Sequence, residues 1–214
     1  MSKNKKNYTI PYISGDGIGP EVWASTENVL NSAIKKVYNG KRSIDWIKVL
    51  AGKEAFDQTG SWLPEETVET IKTYKLAIKG PLETPVGKGI RSINVQLRKT
   101  FDLYACIRPI EWFEGVPSPV KTPESVNMTI FRENTEDIYT GIEWPMNSKQ
   151  NKALIKYLQT QLNVTQIRFP KSSALSIKPI SKEGTNRIVD AAFQYAKKNK
   201  KPNITLVHKG NIMK

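Results

Sequence analysis

Apolar runs alternate with helix-spaced apolar positions through the first hundred residues. Tyr8–Ile13 is an apolar run that predicts a strand, and Val22, Val29, Ala33 and Val37 then recur at helical spacing over 20–38. Pro20 falls in that helix's first turn, where the missing N–H costs no hydrogen bond. Ile44–Leu50 predicts a second strand. "LPEETVETIKTY" predicts a helix opened by Pro64, with Glu65 and Glu66 at its positive end. "KLAIKGPL" predicts a short strand entering a glycine–proline turn. "IRSINVQLRKTFDLYACIRPI" predicts a helix and then a strand, with Ile93, Leu97 and Phe101 at i, i+4 and i+8 as a core stripe. Such alternation predicts an α/β architecture.

The pattern changes after residue 110. "EGVPSPVKTPE" reads as a proline-rich loop and "VNMTIFREN" as a strand. Between about Asp137 and Ile180, "YTGIEW", "TQIRFP" and "ALSIKPI" read as short strands around one helix over 149–160. A helix over 182–199 and a strand over Asn203–His208 follow, and no segment repeats. The sequence stops one element later at "KGNIMK", which reads as a cut rather than a finish.

A length of 214 residues suits one large domain or two small ones. A hydrophobic content of 38% with 25% charged residues is ordinary for a globular protein, and no apolar run approaches the roughly eighteen residues of a membrane span. "MSKNKKNYTI" is basic but lacks a signal-peptide core. The single cysteine, Cys106, excludes an internal disulfide framework and fits a reducing cytoplasm; its apolar surroundings predict a core thiol. The net charge of +13 changes the picture only in part. The lysines are scattered, and no basic–aromatic stripe offers bases a stacking surface, so nucleic acid is not the expected partner. An anionic small molecule makes better use of the positive potential.

"YISGDGIGPEV" looks at first like a dinucleotide-binding turn. That turn needs G-x-G-x-x-G, whereas here Pro20 stands in the place of the third glycine. The acidic ribose partner should close a strand, yet Asp45 opens one. The glycines by themselves imply a tight strand-to-helix turn.

Downstream, Ser92 lies near a predicted helix N-terminus, where amides attract anions, and Asn94 and Arg98 lie four apart on one face. Arg108 and Arg132 each end a strand-like run. Three guanidinium groups converging on a pocket would suit a polycarboxylate, because each pairs bidentately with a carboxylate.

"GDGIGPE" resembles the N-terminal signature of the β-decarboxylating dehydrogenases, the isocitrate and isopropylmalate dehydrogenase family. The resemblance covers nearly the whole chain, through "GPLETPVGKGIRSINVQLRK", "DLYACIRPI", "SPVKTPE", "IFRENTEDIYTGIE", "IRFP", "GTNRIVDAAFQYA" and "LVHKGNIMK" in order. It is strongest to the bacterial, NADP-dependent isocitrate branch, and the S-x-N-x-x-x-R pattern favours isocitrate over isopropylmalate. It implies an α/β fold that is not of Rossmann type, here truncated. Residues 1–103 would form the first part of a large domain, and 104–136 with 182–214 parts of a small one. The 137–181 segment would be a clasp joining two protomers of a homodimer.

The resemblance also implies roles. Ser92, Asn94, Arg98, Arg108 and Arg132 would bind isocitrate. Tyr139 and Lys209, acting from different subunits, would be the acid–base pair of its oxidative decarboxylation to 2-oxoglutarate. Glu83, Thr84 and Asn211 would contact NADP, with Glu83 departing from the family's usual threonine and setting a negative charge beside the cofactor. Ser92 would also be the target of a regulatory kinase/phosphatase. Mg2+ or Mn2+ would be required, its aspartate ligands expected beyond residue 214. His208 is assigned no catalytic role. The 214-residue chain alone is therefore expected to be inactive. The alternative is a non-catalytic remnant that binds a tricarboxylate or pairs with a full-length subunit.

Overall fold

The computed structural model describes residues 6–83 and 92–210, which fall into two compact units, Met1–Phe101 and Asp102–Lys214. In the first, β1 (Lys6–Ile13), α1 (Gly19–Tyr38), β2 (Arg42–Lys48), α2 (Lys53–Thr59), α3 (Glu65–Tyr74), β3 (Ile78–Lys79) and α4 (Ile93–Thr100) follow in order. The strands form a parallel sheet ordered β2-β1-β3, with Tyr12 opposite Lys48 on one side and Ile78 on the other. Parallel neighbours need crossovers, which α1 supplies between β1 and β2, and α2 with α3 before β3.

Ile13, Val49, Ala51, Ile93 and Leu97 make the core of this unit, with Phe101 packed against it, so the i, i+4, i+8 stripe of α4 faces inward as its spacing predicts. The expectation for α1 is corrected. Val22, Val29, Ala33 and Val37 are exposed, and the buried side chain is Trp23. Trp23 stacks on Tyr12 with ring centroids 4.0 Å apart and meets Trp46 edge-on at 5.1 Å. Aromatic rings bury far more apolar area than valines, and this cluster sets which way the helix turns. β2 begins and ends two residues before its predicted span, so Asp45 lies within the strand rather than at its start. α2 escaped prediction because its seven residues bury only Ala55, too little for a period to show.

In the second unit, β4 (Ala105–Glu111) pairs antiparallel with β5 (Asn127–Glu133), and β6 (Ile142–Trp144) with β7 (Leu175–Ile177). Helix α5 (Lys149–Gln161) lies between β6 and β7 in sequence, and α6 (Lys182–Lys198) follows. Ser148 and Ser181 cap these two helices, accepting from the N–H groups of Asn151 and Gly184. Phe131 of β5 meets Tyr195 of α6 with ring centroids 5.2 Å apart, so the odd-numbered face of the β4–β5 ribbon turns toward α6.

Two predicted strands are absent from this unit. Residues 165–170 and 203–208 have no regular structure, and Leu206 and Val207 are 74% and 86% exposed. An apolar run becomes a strand only where a neighbour takes up its N–H and C=O groups. Cys106 is half-buried on β4, not in a core. No helix among the described residues is long and apolar enough to cross a membrane.

Candidate active site

The glycine-rich loop after β1 joins chain segments and does not form an open anion cradle. Gly15 adopts φ +92°, and a Cβ there would run into the Pro81 carbonyl. The Asp16 N–H donates to that carbonyl at 2.7 Å, and the Gly19 N–H donates to the Asp16 carbonyl at 2.9 Å. The buried Asp16 carboxylate accepts the N–H of Lys53 and the N–H of Glu83, each at 2.9 Å. One carboxylate therefore ties the loop to the start of α2 and to the segment after β3. Glu83 is exposed, with Oε1 above Gly17, 3.6 Å from where a Cβ would sit. Thr84 and Asn211 lie outside the described residues.

On α4, Ser92 is the N-cap residue and makes no capping hydrogen bond through its hydroxyl. Asn94 and Arg98, four apart, are half-buried on the face beside the Ile93–Leu97 stripe. Lys79, at the end of β3, lies in the field of Arg98. Burial first, and then the Arg98 guanidinium, push the Lys79 ammonium below its ordinary pKa, against the pull of Asp16.

In the second unit the register decides the arrangement of the arginines. Cys106 opposes Arg132 and Arg108 opposes Ile130, so Arg108 and Arg132 project from the same, even-numbered face of the β4–β5 ribbon. They are diagonal neighbours, about 7–8 Å apart at this spacing. Tyr139 sits in the 3-10 turn Asp137–Thr140. Arg132 Nη2 donates to its hydroxyl at 2.5 Å, and the guanidinium carbon is 4.8 Å from the ring centroid. Lys209 is exposed in the irregular stretch after α6, and no hydrogen bond joins it to Tyr139. His208 accepts the Gly210 N–H through Nδ1 at 3.1 Å and closes no strand.

The turn between Arg132 and Tyr139 is held by its own carboxylates. Glu133 accepts the Thr135 hydroxyl at 2.6 Å and the N–H groups of Thr135 and Glu136. Burial pushes the Glu133 carboxyl up, but these bonds, with the Asn134 N–H, outweigh it and hold the group below the usual carboxylate range.

The isocitrate/isopropylmalate dehydrogenase family model matches residues 9–214. The chain belongs to that family. It is 58% identical over 205 residues to the NADP isocitrate dehydrogenase of Staphylococcus epidermidis, covering 96% of this chain and 49% of that protein. Among solved structures it matches isocitrate dehydrogenase from Methylococcus capsulatus with a TM-score of 0.75 and 34% identity, over 96% of this chain and 52% of that one. A β-decarboxylating dehydrogenase from Thermococcus kodakarensis matches with a TM-score of 0.62 and 28% identity, over 96% and 50%. The chain spans about half the length of the curated relatives it matches.

Within this isocitrate/isopropylmalate dehydrogenase family member, sequence reasoning passed over Asp16, Lys79 and Glu136. A carboxylate between two glycines, as in "GDG", is a signal for Asp16, since a short acid in a tight turn readily accepts backbone N–H groups. Lys79 and Glu136 carry no local signal. Arg98, whose like charge acts on Lys79, lies 19 residues on, and Ser181, which Glu136 holds, lies 45 residues on.

Proposed function

We propose that the chain forms the isocitrate-binding half of an NADP-dependent isocitrate dehydrogenase, which oxidatively decarboxylates isocitrate to 2-oxoglutarate. The observation that supports this most is the common face of Arg108 and Arg132 with the Tyr139 hydroxyl set on Arg132. Two guanidinium groups at that separation can each take one carboxylate of a single small polyanion. Ser92, Asn94 and Arg98 would supply the remaining polar contacts. Because Arg132 donates to the phenol oxygen, the phenol's own hydrogen stays free to be given. Tyr139 and Lys209 would then move the protons: one leaves the substrate hydroxyl as hydride departs, and one reaches the enolate left after loss of carbon dioxide.

The resemblance puts the metal ligands and most of the cofactor contacts outside the described residues. Among them no three His, Cys, Asp or Glu are grouped to hold a cation, and of the three expected NADP contacts only Glu83 is described. On the family resemblance, Mg2+ or Mn2+ and the adenosine end of NADP would be bound by residues beyond those described. The 137–181 segment would be the clasp of a homodimer, the two domains would divide as the resemblance implies, and the enzyme would be cytoplasmic. A phosphate on Ser92 would place about two negative charges where a substrate carboxylate docks, which gives a kinase/phosphatase pair its means of control.

Calorimetric titration of the chain with isocitrate tests the proposal. Binding should weaken at least tenfold in Arg132→Ala, which loses a charge-assisted contact, and in Ser92→Asp, which sets a negative charge against a substrate carboxylate. Isocitrate- and metal-dependent NADPH formation should appear only in the product of the complete reading frame. Equal affinity in the wild type and both variants would overturn the substrate assignment. Binding without any turnover by that product would favour the non-catalytic remnant.

A further inference from the structure

The turn that carries Tyr139 is fastened to α6, 45 residues on in sequence. Glu136 accepts the Ser181 N–H at 2.8 Å and the Ser181 hydroxyl at 2.5 Å. Ser181 is also the residue that caps α6, its hydroxyl accepting from Gly184 N–H at 2.8 Å. The carboxylate therefore sits at the positive end of a 17-residue helix, where a negative charge is favoured. Gly184 makes room for it, since a Cβ there would lie 2.7 Å from the carboxylate atoms. The backbone follows, with the Asp137 N–H donating to the Pro179 carbonyl at 3.0 Å. One turn into α6, Arg187 donates to the Thr135 hydroxyl at 2.8 Å and to both oxygens of Asp102.

Immediately after Glu136 the chain enters an uncommon conformation. Asp137 has φ +59°, a left-handed setting that Asp and Asn tolerate better than other residues with a side chain. Here the contacts of Glu136 and of the Asp137 N–H hold it in place. Two residues later the Tyr139 hydroxyl meets Arg132. Glu133 would still fix Thr135 and Glu136, but once released from α6 Asp137 and Ile138 would regain backbone states and the ring would return to Arg132 less often.

We infer that Glu136 is a positioning residue for Tyr139: by anchoring the turn to the start of α6 it fixes the phenol on the Arg132 guanidinium. The geometry stands on its own contacts, and only its consequence for turnover rests on the proposed role of Tyr139.

The test labels the chain with 13C at the tyrosine Cζ and follows the Tyr139 signal, identified as the one lost in Tyr139→Phe. In Glu136→Ala that signal should move to the position it takes in Arg132→Ala. Glu136→Gln keeps one acceptor for the Ser181 N–H and should restore most of the native position. Gly184→Ala, which helix propensity favours and which displaces the carboxylate without removing it, should move the signal as Glu136→Ala does. A Tyr139 signal unmoved in folded Gly184→Ala or Glu136→Ala overturns the inference. In the product of the complete reading frame, Glu136→Ala should lower kcat by roughly tenfold to a hundredfold with KM for isocitrate nearly unchanged. A moved signal with kcat unaffected leaves the positioning intact and overturns the part given to Tyr139 in the reaction.

Discussion

Asp16 in the first unit and Glu136 in the second are built to the same plan and differ in stiffness. Asp16 is 8% exposed, has a short side chain, and holds two backbone N–H groups from segments 37 and 67 residues away. Gly52, at φ +82°, leaves space for its carboxylate and for Leu82. Glu136 is half-buried, one methylene longer, and holds the N–H and the hydroxyl of a single residue, with Gly184 leaving the space. The first junction fixes where three stretches of main chain run, so it belongs to the fold. The second fixes one turn against one helix, so it belongs to the site. A carboxylate that bridges main chain to main chain has no soft partner to absorb an error, whereas a longer one facing a serine hydroxyl has several.

The largest effect should separate the two glycines. Gly52→Ala forces a side chain into a left-handed backbone and into the Asp16 carboxylate, and should destabilise the first unit by about 3 kcal/mol. Gly184→Ala meets only the far end of a flexible side chain and should cost under about 1 kcal/mol. Urea unfolding read by tryptophan fluorescence measures both, and equal losses would erase the distinction. Next comes Asp16→Asn, which leaves one of the two backbone N–H groups it holds without its acceptor and should cost about 1–3 kcal/mol by the same assay. The smallest effect is acid sensitivity in the second unit. The Glu133 carboxyl is held below its ordinary pKa when folded, so its contribution is fully present above about pH 4.3 and is lost as pH falls through the lowered value. Melting temperature should therefore fall more steeply below about pH 4.3 in the wild type than in Glu133→Gln.

What could be read in advance depended on how locally it was encoded. The α4 stripe was legible because Ile93, Leu97 and Phe101 recur within one helix and face one core. The α1 face was misread because Trp23 outweighs four smaller residues once Tyr12 and Trp46 are beside it, and both come from strands. The 203–208 run was misread as a strand because its pattern is right but pairing needs a neighbour. The arginines were legible as residues able to bind carboxylates. That Arg108 and Arg132 share a face required the register between two strands separated by a loop.

By itself the amino-acid sequence determined the family, the alternation of strands and helices in the first unit, and the cationic and phenolic groups available for chemistry. These follow from side-chain type and from periods spanning a few residues. The tertiary structure decided that the glycine loop is a junction closed by Asp16, that two arginines stand side by side, and that Glu136 holds the Tyr139 turn to α6. Each of those depends on hydrogen bonds or strand register between distant segments, which no local pattern encodes.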